Sequence, residues 1–249
     1  MLLLRNLAFY IVFYAGSVLV TLAAFLTSRM DPRIFRACVH AWSGLQRWSV
    51  EKLLGSPVVI EGSGPVSGPA LYAVKHESFF EAIDAPTLFD LPVVFTKAEL
   101  FRIPVWGPAA RAYGLVAVDR DAGAKALMTM LRAAKAAAAA GRPLVIFPEG
   151  TRVPHGERRA LQAGFAGLYK ALGLPVIPVA VDSGPSYQPG LKPRRAITYR
   201  FGEAIPPGLP RSRIERVDRV ENPCLGFLAR QLRPRGFPRP RPSARRCRW

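Results

Sequence analysis

The chain has 249 residues, half of them apolar, and a formal net charge of +18. That is enough sequence for one sizeable folded domain, and too apolar for a disordered chain. The charge points to a polyanionic partner such as nucleic acid, an anionic membrane or a phosphorylated substrate. Three scattered cysteines, Cys38, Cys224 and Cys247, argue against a disulfide framework or a zinc site.

In chain order, residues 7–27 come first, with no charge across them. A run of that length can cross a bilayer core, and no convincing small-x-small cleavage site follows it. Arg29, Arg33, Arg36 and Arg47 follow the run, whereas only Arg5 and the amino terminus precede it. The bias predicts an inner-membrane anchor with the rest of the protein on the cytoplasmic face. Hydropathy leaves open whether the segment spans or bends back as a shallow hairpin.

Residues 32–54 read as an amphipathic helix, with Phe35, Val39, Trp42, Leu45 and Leu53 at roughly helical spacing. Trp42 and Trp48 suit a membrane interface and core packing equally well.

From Ser56 onward, short β-branched runs alternate with helical ones. "PVVIEG" and "ALYAVK" precede a helix near 79–89, "PVVFTK" a helix near 105–113, and "LVAV" a strong helix over 122–140 stopped by Gly141. "RPLVIFP", a helix near 162–172, "LPVIPVAV" and "AITYRFGEAI" complete the series. Such alternation predicts an α/β fold, a mostly parallel central sheet flanked by helices. The chain therefore divides into an anchoring helix (1–30), an interfacial helix (31–55), a main domain (56–210) and an Arg/Pro-rich tail (211–249). The tail holds twelve arginines and three acids. It reads as disordered, with contact to acidic lipid or nucleic acid as the sharper alternative.

Three histidines are present. His40 falls in the amphipathic helix and His155 in a loop, and both read as structural or surface residues. His76 sits at the end of a strand with Glu81 five positions on. In a regular helix five residues turn about 500°, so the two would not share a face. They meet if His76 lies in the strand-to-helix loop and Glu81 in the first helical turn. A carboxylate that holds one ring N–H leaves the other nitrogen free to take a proton. Lys97 ends the next strand, with Arg102 and Gly107 close behind it. "VDR" closes a third strand and "FPEGTR" a fourth. A base, several cations and a hydroxyl at strand ends suit a phosphate beside a proton transfer.

"HESFFE", "KAELFRIPVWG…VDR", "FPEGTR" and "LPVIPVAV" come in the order and with roughly the spacing of the four blocks of the glycerolipid acyltransferases. The chain resembles the bacterial 1-acyl-sn-glycerol-3-phosphate acyltransferases over about residues 56–203. Their first block has an aspartate where Glu81 stands here; glutamate is one methylene longer and occurs in some members. Asp84 is eight residues from His76, a poor substitute by spacing.

The resemblance implies a glycerol-3-phosphate acyltransferase-like fold and a reaction. His76 would take the proton of the 2-hydroxyl of lysophosphatidic acid, which attacks the thioester of acyl-CoA or acyl carrier protein. Glu81 would orient His76. Lys97, Arg102 and Arg152 would meet the acceptor phosphate, and Glu149, Gly150 and Thr151 would complete its pocket. Backbone N–H groups near Gly107 would steady the oxyanion. Phe79, Phe80, Phe101 and Trp106 read as core or membrane-facing residues, or as the lining of an acyl groove. The implied partners are the lysophospholipid acceptor, the acyl donor and an anionic membrane surface rather than nucleic acid. No cofactor or metal is implied.

Two other readings stand beside this one. The acceptor could be glycerol-3-phosphate, another lysophospholipid or a lyso-aminolipid. A non-enzymatic, membrane-anchored polyanion binder would use the tail alone, but leaves His76, Glu81 and "FPEGTR" unexplained. A serine hydrolase is disfavoured by the lack of a GxSxG elbow.

Overall fold

The computed structural model describes residues 1–119, 122–157 and 159–208. Arg120, Cys224, Cys247 and the expected tail lie outside them. Cys38 is a free thiol.

Helix α1 (Leu2–Thr27) is 26 residues long, or about 39 Å at 1.5 Å per residue. Its mean hydropathy of 2.1 makes it long and apolar enough to cross a membrane. Its faces differ. Leu3, Leu4, Leu7, Ile11, Val18 and Leu19 are exposed, while Phe9 and Phe13 enter the same buried cluster as Tyr72, Val145, Ile177 and Tyr199. Polar ties fix the docked half. Asn6 exchanges hydrogen bonds with the main chain of Lys192, at 3.1 and 2.7 Å. The Lys192 ammonium lies 2.8 Å from the Tyr10 hydroxyl and over the rings of Tyr10 and Tyr187. One face of the apolar helix therefore belongs to the protein core.

Helix α2 (Pro32–Trp48) starts at an Asp31 cap, whose carboxylate accepts the Arg33 N–H at 2.7 Å, with proline in its first turn. It continues into a π-helical turn at Ser49–Leu54 that ends at Gly55. The predicted helix over 32–54 is thus two kinds of helix. Of its tryptophans, Trp42 donates to the Ser17 hydroxyl of α1 at 3.0 Å, and Trp48 is exposed.

The sheet has seven strands: β1 (Val58–Glu61), β2 (Leu71–Val74), β3 (Val93–Lys97), β4 (Val116–Val118), β5 (Leu144–Ile146), β6 (Val176–Val181) and β7 (Ile197–Phe201). Their order is β1-β7-β6-β2-β5-β3-β4. All neighbours pair in parallel except β6 with β7. The prediction of a mostly parallel sheet holds. β2 and β5 are buried throughout, as parallel strands covered on both faces should be.

Four helices connect the strands: α3 (Phe80–Leu88), α4 (Trp106–Tyr113), α5 (Gly123–Ala139) and α6 (Ala163–Leu172). A short 3₁₀ helix, Ala98–Arg102, precedes α4. Because β6, β2, β5, β3 and β4 share one direction, their C-terminal ends form one edge. That edge carries Ser183, His76, the "FPEGTR" loop and Lys97.

Candidate active site

His76 sits two residues past β2, in the turn that leads into α3, and Glu81 lies in the first turn of α3. Their side chains meet, with Nδ1 of His76 2.9 Å from Oε1 of Glu81. The same oxygen accepts the N–H groups of Glu77 at 2.6 Å and Ser78 at 2.8 Å. The other oxygen accepts the hydroxyls of Ser183 at 2.6 Å and Ser78 at 3.1 Å. A carboxylate at the start of a helix also meets the positive end of its dipole.

Glu81 is only 2% exposed. Burial by itself would push its carboxyl up. The hydrogen bond and charge of His76, with the Ser183 hydroxyl and the Ser78 N–H, outweigh burial and hold Glu81 below its ordinary value. An ionised Glu81 can only accept hydrogen bonds. The proton between the two groups therefore belongs to Nδ1, and in the neutral imidazole the free lone pair is that of Nε2.

The "FPEGTR" loop, which follows β5, clamps the histidine. Phe147 stacks on the imidazole with ring centroids 4.2 Å apart. Glu149 accepts the His76 N–H at 3.2 Å through Oε2, and pairs with Lys75 at 3.0 Å through Oε1. Val153 donates its N–H to the His76 carbonyl at 2.7 Å. Glu149 is 1% exposed, with both oxygens engaged inside the protein, so its observed contacts hold the His76 turn. Gly150 has φ +69°, and a Cβ there would come within 2.7 Å of Gln162, so the turn requires glycine.

The three expected cations are exposed. Lys97 and Arg102 are exposed, and among the described residues neither forms an ion pair. Arg152 lies with its guanidinium 4.0 Å from the centre of the Phe79 ring, beside the turn that holds His76. It does not pair with Glu149. Thr151 is half-buried. Gly107 serves packing: a Cβ there would collide with the Phe101 carbonyl, and its N–H donates to the Ile103 carbonyl at 2.9 Å. That N–H is already used, which removes Gly107 itself as the expected oxyanion donor.

A cavity of about 330 Å³ opens between α5, α6 and the ends of β3–β5. Its walls include Phe95, Leu127, Met130, Phe147, Gly150 and Phe165. It shares Phe147 with the stack on His76. Phe80 and Phe101, expected as core or as groove lining, are core residues, and Trp106 packs edge-on against Phe101.

The acyltransferase family model matches residues 57–182, half of the chain. The chain belongs to the acyltransferase family. This acyltransferase is 28% identical over 184 residues to the 1-acyl-sn-glycerol-3-phosphate acyltransferase of Pseudomonas aeruginosa, covering 73% of this chain and 72% of that one. It is 29% identical over 141 residues to the enzyme of that name from Limnanthes alba, covering 56% of this chain and about half, 49%, of the plant protein. The crystal structure of the 1-acyl-sn-glycerophosphate (LPA) acyltransferase PlsC from Thermotoga maritima superposes with a TM-score of 0.64 over 92% of both chains. At 19% identity it shows the shared fold.

Several contacts of the site were not readable from the sequence of this acyltransferase. Ser183 reaches Glu81 across 102 positions, and Glu149 reaches His76 across 73. His155, expected as a structural or surface residue, puts Nδ1 3.1 Å from Oε2 of Glu77, next in the chain to His76. No spacing marks such pairs. They depend on β2, β5 and β6 lying side by side, which only the fold reveals.

Proposed function

We propose that the protein transfers a fatty acyl group from a thioester donor, acyl-CoA or acyl carrier protein, to the sn-2 hydroxyl of lysophosphatidic acid, giving phosphatidic acid. The observation that carries this reading is the His76–Glu81 pair, with Nδ1 held at 2.9 Å by a buried, ionised carboxylate. Nε2 of His76 accepts the hydroxyl proton as the oxygen attacks the thioester carbonyl. The C–S bond then breaks, and the departing sulfur takes the proton from the imidazolium. Glu81 stabilises that imidazolium without itself gaining the proton, as the acid of a hydrolase triad does. No acyl-enzyme forms in this scheme.

The exposed cations and the names of the relatives support this acceptor. Arg152, Lys97 and Arg102 are exposed cations on or near the strand-end edge, suited to a phosphomonoester. The Pseudomonas and Limnanthes relatives are named for the lysophosphatidate reaction. The apolar cavity beside Phe147 suits an acyl chain. Helix α1 would hold the site at the cytoplasmic face of a membrane, where a lipid acceptor resides.

The test is acyl transfer in a membrane fraction from labelled acyl-CoA or acyl carrier protein. Lysophosphatidic acid, glycerol-3-phosphate and lysophosphatidylcholine are offered in turn to wild type and His76→Ala. The expected result is phosphatidic acid from lysophosphatidic acid, abolished by His76→Ala. Wild-type turnover in that variant would remove His76 as the base. Transfer to another acceptor instead would keep the mechanism and change the substrate.

A further inference from the structure

We infer that His155, acting through Glu77, is a positioning residue for the His76–Glu81 base, an inference that rests on the proposed function above. The Glu77 side chain is 3% exposed and that of His155 25%. Nδ1 of His155 lies 3.2 and 3.1 Å from the two Glu77 oxygens. Oε2 of Glu77 also accepts the Gly184 N–H at 3.0 Å.

Both points that Glu77 controls lead to Glu81. Its own N–H donates to Oε1 of Glu81 at 2.6 Å. Gly184 follows Ser183, whose hydroxyl donates to Oε2 at 2.6 Å. Glu77 therefore joins the turn after β2 to the turn after β6, and each turn delivers a donor to the catalytic carboxylate. A Cβ at Gly184 would come within 3.0 Å of the Glu77 carboxylate and 3.4 Å of the His155 side chain, so the three residues fit closely.

His155 is itself fixed to the same turn, because Val153, two residues before it, donates to the His76 carbonyl. Burial pushes the Glu77 carboxyl up, and the Gly184 N–H, His155 and Lys75 oppose that. Removing His155 takes away the side chain that faces this carboxylate from the loop. A buried carboxylate short of partners reorients or takes up a proton. The Gly184 turn then loosens, Ser183 withdraws from Glu81, and the imidazole loses its fixed direction. His155 touches no reacting atom in this account, so its effect belongs on turnover rather than acceptor binding.

The test uses full-length His155→Ala, His155→Gln and Glu77→Gln in the transfer assay, with His76→Ala beside them. The expected loss for His155→Ala is about tenfold in kcat, since it acts by loosening hydrogen bonds to the charged Glu81. KM for lysophosphatidic acid stays within about twofold of wild type on the same principle. His155→Gln keeps an N–H donor and recovers most of the rate; Glu77→Gln falls between. The Nδ1 proton of His76, assigned by its disappearance in His76→Ala, broadens or shifts in the NMR spectrum of His155→Ala.

Unchanged kcat in folded His155→Ala and Glu77→Gln overturns the inference, as does a rise in KM alone. Failure of both variants to fold makes the contact a structural one and also overturns it. An active His76→Ala would instead sink the base assignment, a separate outcome.

Discussion

Helix α3 carries two buried carboxylates one turn apart, and their surroundings divide the molecule into the candidate active site and a supporting region. Glu81 faces the strand-end edge, among the turns after β2 and β6. Asp84 faces α2 and β7, where Arg47 pairs with it in two bonds of 2.8 and 2.6 Å and Tyr199 donates at 2.9 Å. Both are almost without exposure. Burial pushes both upward, yet Glu81 ends below its ordinary value and Asp84 above it, despite the Arg47 guanidinium. The difference lies in the partners. Glu81 has His76, two main-chain N–H groups and two hydroxyls. Asp84 has one cation that is itself largely desolvated, and one phenol. At Glu81 the hydrogen bond and charge of His76, joined by the Ser183 hydroxyl and the Ser78 N–H, outweigh burial; at Asp84 the Arg47 pair and the Tyr199 phenol do not, and Glu51 adds to the upward push. Polarity and depth therefore do not separate the two acids; the identity of the facing group does.

Substitutions at the two sites should separate in what they damage. Glu81→Gln keeps the volume and removes the charge behind the imidazole. It should lower kcat by on the order of 10³–10⁴-fold with the fold retained. A loss under tenfold in kcat would erase the distinction. Asp84→Asn strands the Arg47 guanidinium, and the expected cost is about 3 kcal/mol of stability in denaturant titration. Turnover of the folded fraction should be close to wild type. A large loss of turnover without a loss of stability would put Asp84 in the site.

The finest comparison deletes one hydroxyl from each carboxylate. Ser183→Ala should cost about tenfold in kcat, since a hydrogen bond to a charged group contributes about 1.5–3 kcal/mol and four donors remain on Glu81. Tyr199→Phe should cost about 1.5 kcal/mol of stability and leave kcat nearly unchanged. An exchange of these two outcomes would reverse the assignment of the regions.

The sequence revealed more of the frame than of the wiring. Alternating short apolar runs and helical periods marked the helices that became α3 to α6 to within a residue or two, because periodicity reports burial on one face. His76 and Glu81 were legible as a pair because both lie in one strand-turn-helix unit, where local geometry settles who meets whom. Arg152 was legible as a cation at a strand end, but its resting place on Phe79 was not. The expectation for His155 missed its contact, since Glu77 is 78 positions away.

Helix α1 makes the same point from the other side. Its apolar run declares a hydrophobic environment, yet composition does not distinguish lipid from core. Asn6 and Tyr10, polar side chains at the start of that run, bind the segment around Lys192, some 180 positions later.

The sequence by itself determined the α/β class, the mostly parallel sheet, the pairing of His76 with Glu81, and the strand-end place of the "FPEGTR" loop. These depend on spacing within one or two neighbouring elements. Tertiary structure alone decided that Glu149 holds the His76 turn, that Ser183 completes Glu81, that Asp84 belongs to Arg47, and that one face of α1 enters the core. Each of those contacts joins segments distant in sequence, and their proximity is a property of the whole packed chain.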